Sequence, residues 1–188
     1  MIFKNFLKII KKIVLIIFFS TLSSYSLAVN ITGDNTISSD SSTQQTFNAA
    51  DTSLTITDSS TLDRNTGQKP ININEQDNGT VTIHFGSSAV GTANTVAGND
   101  TTGLTVNNSG TITSTGAKAI NLLDSTDASI VNNSGGIINS KTNAISISKN
   151  GTTPDNITIT NSGTIYTTNG STNTIVFHSS ATDSTIQT

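Results

Sequence analysis

The sequence predicts an all-β fold, a parallel β-solenoid, on three observations. A turn motif recurs as Asn107-Asn108-Ser109-Gly110-Thr111-Ile112, Asn132-Asn133-Ser134-Gly135-Gly136-Ile137 and Thr160-Asn161-Ser162-Gly163-Thr164-Ile165. Its glycines, 110, 135 and 163, are 25 and 28 residues apart. Self-similarity at that period marks a solenoid, in which each coil buries against its neighbours what it cannot bury alone. Each repeat also holds three short apolar segments in fixed order: one before the turn, one just after it and one about ten residues on (Ile120, Ile145, then Ile175). Finally, β-branched Thr, Ile and Val dominate after Ala28, and no long apolar stripe of 3.6-residue period is present.

The first 28 residues read as a secretory signal peptide. Lys4, Lys8, Lys11 and Lys12 form a basic head, Ile13 to Phe19 is an unbroken apolar run, and Ser26-Leu27-Ala28 supplies a small-x-small cleavage pattern. The run is far shorter than the ~20 residues of a spanning helix, which disfavours an uncleaved anchor. Cleavage is expected after Ala28. The intact mass of the exported product should correspond to a chain beginning at Val29; a full-length product held in the inner membrane would contradict this.

Without the leader, five Lys/Arg stand against twelve Asp/Glu, a net charge of −7. Diffuse negative charge with one arginine, Arg64, argues against nucleic acid or an anionic membrane surface as partner. Cysteine is absent, so neither a disulfide framework nor a thiolate metal site supports the fold. The apolar supply is thin and the composition approaches that of disordered chains; periodicity is the argument for a fold.

Residues 29–79 read as an N-terminal cap with irregular first coils, and 80–188 as the solenoid repeats. A cap covers the strand edges that a first coil would expose. Thr80 to Phe85 is the clearest strand, with Val81, Ile83 and Phe85 on the inward face and Thr80, Thr82 and His84 outward. Residues 86–103 read as a looser coil or a lateral loop. A weaker copy of the turn, Asp77-Asn78-Gly79-Thr80-Val81, precedes the first full one. One Ile per segment is expected to point inward, so that Ile112, Ile137 and Ile165 form one column, with Thr113 outside. Asn108, Asn133 and Asn161 mark the corner where stacked amides can form a ladder. Gly110, Gly135 and Gly163 are expected to supply positive φ there.

The Asn-Ser-Gly-Thr-Ile motif followed by an Ala-Ile pair (Ala119-Ile120, Ala144-Ile145) resembles the degenerate repeats of autotransporter passenger domains, the exported parts of type V secretion proteins of Gram-negative bacteria. The resemblance covers about Thr80 to Ile186. It implies a right-handed parallel β-helix of the pectin-lyase-like type, and a cell-surface, outer-membrane or extracellular location. It also implies an adhesive or structural role toward a surface ligand or host partner. The C-terminal β-barrel that threads such passengers outward is not present in this chain, and Thr185-Ile186 should lead into another turn. The expectation is therefore an N-terminal portion, incomplete at its C-terminus, of a longer polypeptide.

No constellation points to catalysis, a cofactor or a metal. His84 and His178 both lie opposite the apolar faces of their strands, and no nucleophile-elbow context surrounds a serine. Asp100, Asp124, Asp127, Asp155 and Asp183 are scattered among predicted loops; Asp124 and Asp127, the closest pair, read as a solvated turn. Calcium-binding nonapeptides and phosphate loops are absent. The alternatives to an adhesive solenoid are a β-helix enzyme acting on polysaccharide, and a disordered secreted segment.

Overall fold

The structure, a computed structural model, describes residues 28–170 and 172–188. The leader reading over residues 1–27 lies outside them. The described chain is all-β: three parallel sheets stack as a β-solenoid of about 6 turns. The first sheet takes Val29–Ile31, Gln45–Phe47, Ile71–Asn74, Val96–Asn99, Ile120–Leu123, Ile145–Ser148 and Ile175–Phe177. The second takes Asp34–Ile37, Ser53–Ile56, Thr80–Ile83, Thr105–Asn108, Ser129–Asn132, Thr158–Asn161 and Thr185–Gln187. The third takes Thr61–Arg64, Ser88–Gly91, Thr111–Ser114, Ile137–Ser140 and Thr164–Thr167. Each coil visits the sheets in that order, so every strand pairs with its equivalent one coil away. The ladders run without a break across 79/80: Ser53–Ile56 pairs with Thr80–Ile83, and Thr61–Arg64 with Ser88–Gly91. Residues 86–103, open between coil and loop in the sequence, form a regular coil with strands at 88–91 and 96–99.

Alternation within four-residue strands builds the core. In Thr80–Ile83 the burial runs half-buried, buried, half-buried, buried, and most strands of the second and third sheets repeat it. Two positions per strand therefore point inward, not the single Ile expected: Ile120 and Leu122 are both buried, as are Ile145 and Ile147. The second sheet stacks Leu54, Val81, Val106, Ile130 and Ile159 in one inward column. Burying each large aliphatic side chain contributes about 1.5–3 kcal/mol. In the first sheet a smaller residue, Gly98, stands in the column between Ile73 and Leu122, and neighbours fill the gap: a Cβ added there would meet Leu104 Cδ2 at 2.9 Å and Leu122 Cδ2 at 3.0 Å.

Two sequence expectations about the core are corrected. The third-sheet column is Leu62, Ala89, Ile112, Ile138 and Ile165; Ile137 faces outward, in register with Thr111 and Thr164. The cause is turn length. Five residues (133–137) separate Asn132 from Ile138, against three between Asn108 and Ile112 (109–111) and between Asn161 and Ile165 (162–164). With a side-chain period of two, choosing the wrong isoleucine of an Ile-Ile pair turns the core face outward. Phe85 is the second correction. The strand ends at Ile83, Gly86 turns with φ +81, and Phe85 stands at the tip of that corner, 81% exposed.

Candidate interaction surface

The repeat motif builds an internal support. Asn108, Asn132 and Asn161 stack in register where the second sheet meets the third. Asn108 Nδ2 donates to Asn132 Oδ1 at 2.8 Å and to the Ile137 carbonyl at 3.1 Å. Asn132 Nδ2 donates to Asn161 Oδ1 at 2.8 Å and to the Gly136 carbonyl at 3.2 Å. The expected amide ladder exists, but Asn132 carries its middle rung. Asn133 sits one residue into the longer turn, and its Nδ2 donates to Ser109 Oγ at 3.0 Å. The ladder stops at Asn108, because the coil before it places Ile83 at the same position, and Asn108 Oδ1 is buried without a hydrogen-bond partner.

The glycines of the motif do two different jobs. Gly135 has φ +82, as expected, whereas Gly110 and Gly163 are not among the positive-φ glycines. They are needed because the backbones pack closely: a Cβ at Gly110 would strike the Ser87 and His84 carbonyl oxygens, and one at Gly163 those of Gly136 and Asn133. The equivalent of Gly110 in the middle coil is Gly136, whose carbonyl takes the Thr164 amide as Gly110's takes that of Ile137.

Most charges are sorted by corner, Lys149 among the acids being an exception. The corner from first to second sheet carries Asp51, Glu75, Asp77, Asp100, Asp124, Asp127, Asp155 and Asp183. Many of these adopt positive φ, and Asp51, Asn78, Gly103, Asp127, Asn156 and Asp183 do so at the same place in successive coils. Asp and Asn tolerate this left-handed geometry better than most residues. Asn amides cap carboxylates of the preceding coil: Asn78 Nδ2 donates to Asp51 Oδ1 at 3.0 Å, and Asn156 Nδ2, between Asp127 and Asp183, to Asp127 Oδ1 at 2.7 Å. Asp124 departs from the solvated-turn reading. It is 7% exposed, and its Oδ1 accepts the amides of Asn150 at 2.7 Å and Gly151 at 3.0 Å, clamping the loop of the next coil. The corner from third to first sheet carries Lys69, Lys118 and Lys141. Lys69 Nζ donates to Asn72 Oδ1 at 3.2 Å and Lys118 Nζ to Asn121 Oδ1 at 2.9 Å, and burial pushes the Lys118 ammonium below the usual lysine range.

The two histidines are on different corners. His84 is exposed, with Nδ1 3.2 Å from Thr57 Oγ1; His178 Nδ1 lies 2.8 Å from Ser180 Oγ. Among the described residues no group of three His, Cys, Asp or Glu side chains is placed to hold a metal ion.

The outer faces differ. The second sheet presents paired outward columns rich in small hydroxyls, Ser53 and Thr55, Thr80 and Thr82, Thr158 and Thr160 among them, with Asn107 and Val131 interrupting one of the two. The third sheet presents a mixture that includes Asp63, Val90, Thr113, Asn139 and Tyr166 in one register column. At its first strand, Thr61–Arg64, a groove of about 600 Å³ opens, lined by Asp40, Ser41, Ser42, Thr61, Asp63, Asn65 and Thr66. Its walls are tied by backbone bonds from Ser41 N to Thr61 O at 2.9 Å and from Asp63 N to Ser41 O at 2.8 Å. Asp40 Oδ1 accepts the Thr61 amide at 2.9 Å, and buried Arg64 donates from Nη1 to the Ser42 carbonyl at 3.1 Å. Sequence reasoning missed this groove. Its two acids and its hydroxyls are divided between neighbouring coils and form no motif; the one signal was a carboxylate at an outward strand position in Thr61-Leu62-Asp63-Arg64.

No helix of the described residues is long and apolar enough to cross a membrane, which leaves β-barrel spans untouched. No protein-family model, no curated protein and no solved structure matches the chain.

Proposed function

We propose that this chain is an exported structural or adhesive surface protein, the passenger part of an autotransporter-like polypeptide of a Gram-negative bacterium. The observation that carries the reading is the division of labour within each coil. Large aliphatic side chains and the stacked amides fill the inside, while the second sheet turns an outer face made mostly of Ser and Thr to solvent over coil after coil, interrupted by Asn107 and Val131. Such a surface suits a stalk or a broad contact face, because it repeats one chemistry along an axis and concentrates no reactive group. The basic head, apolar run and Ser26-Leu27-Ala28 end of the leader support export.

Surface location is tested on intact cells producing the full-length gene product. Protease added outside, and an antibody against the solenoid, should both reach it without permeabilisation. Protection until the inner membrane is breached would overturn the proposal.

A further inference from the structure

We propose that the groove beside strand Thr61–Arg64 is a binding site for a neutral sugar. This deepens the adhesive reading, on which it depends only for where the sugar comes from. The groove, about 600 Å³, is in the range of small-ligand sites and far larger than an ion needs. Its lining mixes carbon with polar groups: carboxylates of Asp40 and Asp63, hydroxyls of Ser42, Thr61 and Thr66, and the amide of Asn65. Sugar hydroxyls donate and accept at once, and so match a wall that alternates pure acceptors with hydroxyls and an amide. Two carboxylates disfavour an anion, and covering them with a lipid chain would desolvate both.

Asp63 singles out this place. Of the twelve acids only Asp34 and Asp63 lie within strands; the others sit in corners and turns. Asp63 Oδ2 accepts Asn65 Nδ2 at 2.9 Å, but its Oδ1 is buried with no hydrogen-bond partner. A buried acceptor without a donor is unfavourable. A sugar hydroxyl seated against this carboxylate would give it a second donor beside Asn65. The opposite wall is held in place before any ligand arrives, by the Asp40–Thr61 and Arg64–Ser42 bonds, so little ordering accompanies binding.

The test is saturation-transfer NMR on the exported chain in solution, with D-galactose, D-mannose and N-acetyl-D-glucosamine each added singly, and calcium chloride alone in a separate titration. At least one sugar should receive saturation. Asp63→Asn, which keeps the shape and removes the charge, should weaken its binding about tenfold or more. Asp40→Asn should weaken it as well, and Asp183→Asn, on a distant corner, should leave it unchanged. Circular dichroism of each variant shows that the solenoid is intact. Saturation of no sugar overturns the inference, as does undiminished binding in both groove variants. Calcium shifting the groove resonances while sugars leave them unmoved also overturns it, in favour of a cation site. Solution binding is independent of cell location, so this outcome and the protease result on cells are separately readable.

Discussion

Ile138→Asp should unfold the middle coils, lowering stability by roughly 4 kcal/mol or more, while Ile137→Asp should change it by about 1 kcal/mol or less. Ile138 is fully buried between Ile112 and Ile165, so the substitution removes apolar burial and leaves an unpaired charge among aliphatic side chains. Ile137 is half-buried on the outer face, between Thr111 and Thr164, where a carboxylate stays hydrated. Urea unfolding followed by far-UV circular dichroism separates the two. Because each coil touches only its neighbours, hydrogen exchange should also show lost protection centred on strands 111–114, 137–140 and 164–167 in Ile138→Asp. Equal midpoints for the two variants would mean that the inward register of the third sheet is wrong.

Asn132→Leu should cost about 2–4 kcal/mol although the side-chain volume is nearly kept. Asn132 is the only rung with a ladder partner on both sides: it accepts from Asn108 and donates to Asn161, and its Nδ2 also serves the Gly136 and Thr164 carbonyls. Leucine removes all of these and leaves Asn108 Nδ2 and Asn161 Oδ1 without their ladder partner. The control is Asn133→Leu, which loses one half-buried bond to Ser109 and should fall within about 1 kcal/mol of the parent. A loss confined to Asn133→Leu would overturn the assignment of the ladder. Ile56 and Ile83 occupy the same position in earlier coils, so an apolar column is tolerated there as a whole. The damage in Asn132→Leu comes from mixing the two kinds of column.

How far these features were legible depends on how unambiguous each repeat is. Asn161-Ser162-Gly163-Thr164-Ile165 has one alignment with Asn108 to Ile112, and the structure keeps it. The middle copy reads Asn132-Asn133-Ser134-Gly135-Gly136-Ile137-Ile138, in which Asn, Gly and Ile are doubled and Thr is missing. Matching Asn-Ser-Gly as a word aligns Asn133, Gly135 and Ile137. Hydrogen bonding and burial instead align Asn132, Gly136 and Ile138, and let the surplus residues bulge at the corner. The order of strands within a coil follows from periodicity, whereas the regular early coils and the register within a coil need the backbone. Phe85 was misplaced for a related reason: alternation was extended past Ile83 to a residue that the turn at Gly86 had already lifted off the sheet. The groove was beyond reach because Asp40 and Asp63 become neighbours only through stacking.

The coil geometry sets how such a rod can grow. Stacked strands are about 4.8 Å apart, so each coil of 24 residues (Asn108 to Asn132) or 29 (Asn132 to Asn161) advances the axis by only about 4.8 Å. The same residues as an α-helix would advance it by about 36–44 Å. About six turns therefore span roughly 29 Å, close to the girth of a small domain. A chain built this way gains little reach per residue but gains cross-section, with three ladders resisting bending at once. Lengthening it by tandem duplication of one coil adds the same width of hydroxyl face each time and leaves every existing contact in place.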